Sequence, residues 1–141
     1  KGSWVLHTLR WTVGDEAFFA GLRRAAYPDA VRLRAKDGSQ VRLVDTDDII
    51  AIFEEEAGRD LGGFFELYVR QPALPRLIET RDGDVLELRW ETPDDLPFDV
   101  PVPVRVGEDV HRVAMDDGAG SLTLSAGAEY VVDPDAWLLK E

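Results

Sequence analysis

The feature that most constrains this chain is a change of hydrophobic period near Pro75. Before it, apolar residues recur at i, i+3 and i+4, the spacing of a buried helix face; after it they alternate with polar residues, the spacing of a half-buried strand. A chain with helical first half and alternating second half is expected to be α+β, with helices and an antiparallel sheet in separate layers. The expected domains are a helical part over 1–74 and a β-sandwich over 75–141.

The helical half has legible stops and starts. Trp4, Val5, Leu6 and Leu9 give a broad apolar stripe over Ser3 to Arg10, and Gly14 can end that helix with a left-handed cap. Asp15 can cap a second helix lined by Phe18, Phe19, Leu22 and Ala26, which Tyr27-Pro28-Asp29 stops. Val31 to Val44 alternates around Asp37-Gly38-Ser39, which fits a short hairpin or a structured loop. Any of Asp45 to Asp48 can cap the next helix, whose stripe is Ile49, Ile50, Ile52, Phe53 and Ala57. Glu54 to Glu56 lie at the wrong end of it for the helix dipole, and Gly58 closes it. Asp60 then caps a last helix with Leu61, Phe64, Phe65 and Tyr68 inward; Gly62-Gly63 allows close helix packing there.

Beyond Pro75 come short alternating runs at 77–80, 85–90, 100–106, 110–115, 121–125 and 129–132, with turn chemistry at Asp82-Gly83-Asp84, Asp116-Asp117-Gly118 and Ala126-Gly127. Pro101 and Pro103 cannot donate ladder hydrogen bonds, so that run is expected at an edge or irregular. Residues 75–141 are few for a sandwich standing alone, so the strands are expected to lean on the helices.

Composition narrows the chemistry. The 141 residues include no cysteine, which excludes disulfides, thiolate metal sites and cysteine nucleophiles. A net charge of −12 repels phosphate backbones and anionic lipid, so neither nucleic acid nor a membrane surface is an expected partner. No apolar run approaches the roughly 20 residues of a membrane span, and no signal peptide is visible. The expected setting is a soluble bacterial protein, cytoplasmic or exported. Lys1 falls inside an apolar helical pattern, so the sequence reads as beginning within an element.

No self-contained active site is legible. A thermolysin-type site needs two histidines four apart on a helix with a glutamate between them. His7 and His111 lie in different halves; His7 reads as a core or boundary residue and His111 as an exposed strand residue. There is no G-x-S-x-G elbow and no phosphate-cradling glycine loop. The pairs Asp47-Asp48, Asp94-Asp95 and Asp116-Asp117 read as solvated caps and turns. Asp45, Asp47 and Asp48 lack the glycine and distal glutamate of a calcium loop. No catalytic, cofactor-binding or metal-ligating residue is therefore assigned.

A series of segments nevertheless resembles one family. Lys1-Gly2-Ser3-Trp4-Val5-Leu6-His7-Thr8-Leu9 is similar to the K-G-x-x-V-L-x-x-L helix that follows the zinc site in the aminopeptidase N family of zinc peptidases (gluzincins). Val13-Gly14-Asp15-Glu16-Ala17-Phe18-Phe19 resembles its G-D-E-x-F helix start, and Thr46-Asp47-Asp48-Ile49 its T-x-D-[FL] cap. Gly58-Arg59-Asp60-Leu61 through Phe64-Phe65 resembles G-x-D-L-x-x-F-F, and Gln71-Pro72-Ala73-Leu74-Pro75 the x-P-x-L-P exit into a β domain. The matches stand in order over about residues 1–76; the Val31 to Val44 stretch departs from the pattern as an insertion would.

The resemblance implies that 1–74 ends a thermolysin-like catalytic domain and that 75–141 is an appended sandwich. In the family the HExxH histidines, the base glutamate, the third zinc ligand and the exopeptidase motif lie upstream of K-G, and the tyrosine that stabilises the tetrahedral intermediate sits two residues before the lysine. None falls on a residue of this chain. The implied function is a non-catalytic C-terminal part of a zinc aminopeptidase, with zinc and peptide substrate belonging to the parent enzyme and the upstream catalytic domain as partner. The rival is a stand-alone sandwich that binds a ligand through exposed aromatics such as Trp90 or Trp137; the alternation of Trp90 with Leu86 and Leu88 turns it inward instead.

Overall fold

In a computed structural model, residues 1–27, 34–39, 41 and 43–141 are described. The order is α1 (Gly2–Val13), α2 (Asp15–Ala26), α3 (Thr46–Ala57), a short α4 (Gly62–Phe65) continued by a π-helical turn (Glu66–Arg70), then β1 (Arg76–Asp82), β2 (Val85–Glu91), β3 (Val102–Val106), β4 (Asp109–Val113), β5 (Ala119–Thr123) and β6 (Tyr130–Val132). The architecture is α+β, as the change of period requires. Part of the Val31 to Val44 segment, and the Pro28-Asp29 stop, lie outside the described residues.

The chain divides into two compact units, Leu9–Gly62 and a second made of Lys1–Thr8 with Gly63–Glu141. The change of period at 74–75 marks a change of secondary structure, whereas this division follows packing.

In the Leu9–Gly62 unit, α2 lies against α3. Phe18 meets Phe53 with ring centroids 6.0 Å apart, and Gly21 is required where the Phe53 ring passes: a Cβ there would stand 2.6 Å from Cε1. Burying Phe53 contributes roughly 1.5–3 kcal/mol. The expected stripe on α2 is only half buried, since Phe18 and Gly21 are covered while Phe19 and Leu22 are exposed. Gly14 departs from expectation too. At φ 85 and ψ 163 it is the N-cap of α2, in a region of backbone open essentially to glycine, rather than a left-handed helix end. Asp15 is thereby moved inside the helix, where both its oxygens accept from the Arg10 guanidinium at 2.7 and 2.8 Å.

Among the aspartates before α3, Asp45 is the cap. Its carboxylate accepts from Asp48 N–H while the Asp48 carboxylate accepts from Asp45 N–H, a reciprocal box. Gly58 closes α3 in the left-handed conformation, as expected. The acidic run at its end is offset by partners distant in sequence. Arg24 pairs with Glu55 and Glu56, and Glu54 accepts from Leu61 N–H at 2.9 Å.

The strands form two antiparallel three-stranded sheets, β1-β2-β5 and β4-β3-β6. On β2 the alternate residues Leu86, Leu88 and Trp90 are buried. The proline-bearing strand is not at an edge: β3 is the middle strand of its sheet. The arrangement is tolerated because the β6 ladder stops at Val104↔Val132. Pro103 lies beyond that pair and only accepts, from Asp133 N–H at 2.7 Å, so its missing donor leaves no gap in the ladder.

The strands lean on the last helix through an aromatic cluster. Phe98 makes edge-on contacts with Tyr68 at 5.5 Å and Trp90 at 5.1 Å, and Phe64 packs on Tyr68 at 4.8 Å. The Trp90 indole N–H is satisfied by the Val100 carbonyl at 2.9 Å. Gly63 approaches the backbone so closely that a Cβ would run into the Pro97 carbonyl oxygen. The regular helix expected after Asp60 is instead short, begins at Gly62 and passes into a π-helical turn at Glu66; the Asp60 carboxylate accepts from Gly62 N–H at 2.6 Å.

Candidate functional site

A buried polar constellation joins the first turns of α1 to residues 133–139. The stripe expected on α1 is shifted: Val5 and Leu9 are buried together with Thr8 and Thr12, while Trp4 and Leu6 are exposed. A fully buried hydroxyl must find partners. The Thr8 hydroxyl lies 2.9 Å from the Trp137 carbonyl and 3.1 Å from the Trp4 carbonyl, its one proton serving both, and it accepts Leu139 N–H at 3.0 Å.

Two further side chains hold the same segment. The Tyr68 hydroxyl, in the π-helical turn, donates to the Leu139 carbonyl at 2.6 Å. Burial pushes the Tyr68 phenol well above its ordinary range; the Thr8 hydroxyl opposes this and the Asp133 charge adds to it. The Asp133 carboxylate, with 3% of its side chain exposed, accepts from Trp137 N–H at 2.7 Å, Leu138 N–H at 3.2 Å and Lys140 Nζ at 3.1 Å. Asp133 and Ala136 both have positive φ, 52° and 54°, so this turn is held against a backbone cost. Glu141 N–H donates to the Pro75 carbonyl at 3.0 Å.

Neither histidine is part of a catalytic set. His7 is half-buried, stacked face to face on Trp137. With Ser3, Trp4 and Ala136 it borders a shallow cleft of about 360 Å³. His111 is exposed on β4, as its place in an alternating run implies. Among the described residues no group of three or more histidine, aspartate or glutamate side chains is placed to hold a metal ion. Of the aromatics that a ligand-binding sandwich would present, Trp90 is 5% exposed and Trp137 is engaged with His7, so the two do not form a solvent-facing pair.

A larger open depression of about 710 Å³ lies at one end of the sandwich, bordered by Arg89, Glu91, Thr92, Asp95, Asp117 and neighbouring backbone. Its ionisable side chains are exposed, and among them Asp95 and Asp117 stand on turns with positive φ. Nothing in it matches a nucleophile with a base, or a paired acid and base. Asp94-Asp95 and Asp116-Asp117 are turn residues, as their sequence context implies.

Thr8, Tyr68 and Asp133, the side chains that hold this segment, carried no sequence signal of partnership. Thr8 did carry one of burial, being a hydroxyl one position before Leu9 on an apolar helix.

The chain thus holds a helical unit, Leu9–Gly62, and a second unit in which the first turns of α1, the π-helical turn and the two small sheets are packed with the last residues of the chain. No protein-family profile matches the sequence, and no curated protein matches it. Among solved structures, the chain is similar to an aminopeptidase A of Legionella pneumophila, determined in complex with aspartic acid, with a TM-score of 0.63 at 15% identity. The likeness extends over 93% of this chain and only 16% of the Legionella chain, so the fold seen here corresponds to a small part of that aminopeptidase. Among the described residues no helix is long and apolar enough to cross a membrane.

Proposed function

We propose that this chain is a non-catalytic C-terminal part of a zinc-dependent, aminopeptidase-type metallopeptidase, which packs behind the active site and shapes access to it. The observation that carries the reading is the likeness of nearly the whole chain to 16% of one aminopeptidase. The ordered segments from Lys1-Gly2 to Leu74-Pro75 support it independently, because they are a property of the sequence and not of the fold.

In such an enzyme zinc supplies Lewis-acid activation of water toward the peptide carbonyl. The residues here have a different task. They bury the aromatic cluster around Phe98, hold α1 through Thr8, and provide a firm wall for groups that lie upstream. The zinc ligands and the general base belong to the parent enzyme and correspond to no residue of this chain.

The test compares the 141-residue chain with the longer parent polypeptide that this reading requires, on aminoacyl-anilide substrates in the presence of zinc. Turnover by the longer polypeptide alone supports the reading. Robust turnover by the isolated chain contradicts it.

A further inference from the structure

We infer that residues 133–139 are a strap that clamps the first two turns of α1, and that Thr8 is a positioning residue acting through that helix. The inference rests on the proposed function for what is positioned: the groups that the family resemblance sets immediately upstream of Lys1. Three observations carry the clamp itself.

The strap is fastened at both ends by buried polar groups. Asp133 fixes its shape by taking the amides of Trp137 and Leu138, and Thr8 and Tyr68 take the amide and carbonyl of Leu139. Its outer side is held by the Trp137 ring lying on His7, one residue from Thr8 on α1. It also keeps Ala136 at φ 54, a conformation that an alanine leaves unless its neighbours over-determine it.

Thr8 is the point through which the strap reaches α1. Its side chain is fully buried, and its i−4 bond to Trp4 competes with its bond to Trp137, so the hydroxyl joins the helix backbone to the strap. Loss of the strap therefore loosens the helix start, and with it any group placed just ahead of that start.

The experiment uses amide hydrogen exchange on this chain and kinetics on the longer polypeptide. Asp133→Asn touches no α1 residue, yet the clamp predicts about tenfold faster exchange of the Val5 to Thr8 amides, with the β1-β2-β5 ladder unchanged. Faster exchange confined to Trp137 and Leu138 overturns the clamp. In the longer polypeptide Thr8→Val is expected to lower kcat about tenfold with KM unchanged, and Thr8→Ser, which keeps the hydroxyl, to restore it. Equal kcat in the three overturns the positioning role, as does a loss that Thr8→Ser does not restore. If the unaltered longer polypeptide has no peptidase activity, the proposed function and the positioning role both fall, while the exchange result alone still decides the clamp.

Discussion

The Trp137 indole stacks on the His7 imidazole with ring centroids 4.3 Å apart and planes within 9° of parallel. The contact spans the sequence almost from end to end and fixes one face of the C-terminal strap. A double-mutant cycle with His7→Leu and Trp137→Leu, read by urea unfolding, is expected to give a coupling of about 0.5–1.5 kcal/mol. No coupling would mean that the rings are adjacent without supporting one another.

Tyr68 makes the fold sensitive to alkali. Its pKa is raised by burial, so the stability it contributes is fully present below its ordinary value of 10.0 and is lost as pH rises toward its folded value. Unfolding midpoints should fall above pH 10 in the unaltered chain and fall less in Tyr68→Phe, which costs about 1 kcal/mol at neutral pH through its lost bond to Leu139. Parallel alkaline profiles in the two proteins would contradict this.

Asp15 acts in the opposite direction. The Arg10 hydrogen bonds hold its carboxyl below the ordinary 3.8, so its contribution is present above that value and disappears as pH falls through the lower, folded one. Asp15→Asn should therefore be less stable than the unaltered chain at neutral pH, with the difference closing in acid below 3.8. Acid and neutral denaturant melts measure it. The pair is exposed, so the difference is expected to be small and to shrink with salt.

Much of this architecture was legible in the sequence. The change of period at Pro75 and the Gly58 cap are local properties, and both stand in the structure. Gly14, equally local, departs from its expected role because it opens α2 instead of closing α1 in the left-handed conformation. Other departures depended on partners far along the chain. The stripe on α1 turns by about a position because Thr8 is drawn inward by Trp137 and Leu139. Pro103 sits in a middle strand because β6 ends opposite it. The strap itself was invisible, since Asp133 to Leu139 has neither period nor motif. The candidate site was illegible for a related reason: Thr8, Tyr68 and Asp133 stand far apart in sequence and meet the same segment only in the fold.

Gly63 gives a direct test of the close approach between α4 and the segment before β3. A Cβ there meets the Pro97 carbonyl oxygen, part of the backbone and unable to swing aside. Gly63→Ala is expected to destabilise the chain by about 1–3 kcal/mol, well beyond the effect of Gly62→Ala beside it. Thermal or urea unfolding of the two variants decides it, and equal costs would show that the approach relaxes easily.

The central claim is that this fold supports a catalytic site it does not contain. Its most direct measurement is hydrolysis of aminoacyl-anilides, with zinc present, by the 141-residue chain and by the longer polypeptide. The account predicts turnover by the longer polypeptide, abolished by a zinc chelator, and none by the chain alone. Turnover by the chain alone, or a longer polypeptide inert toward every aminoacyl-anilide, would contradict it.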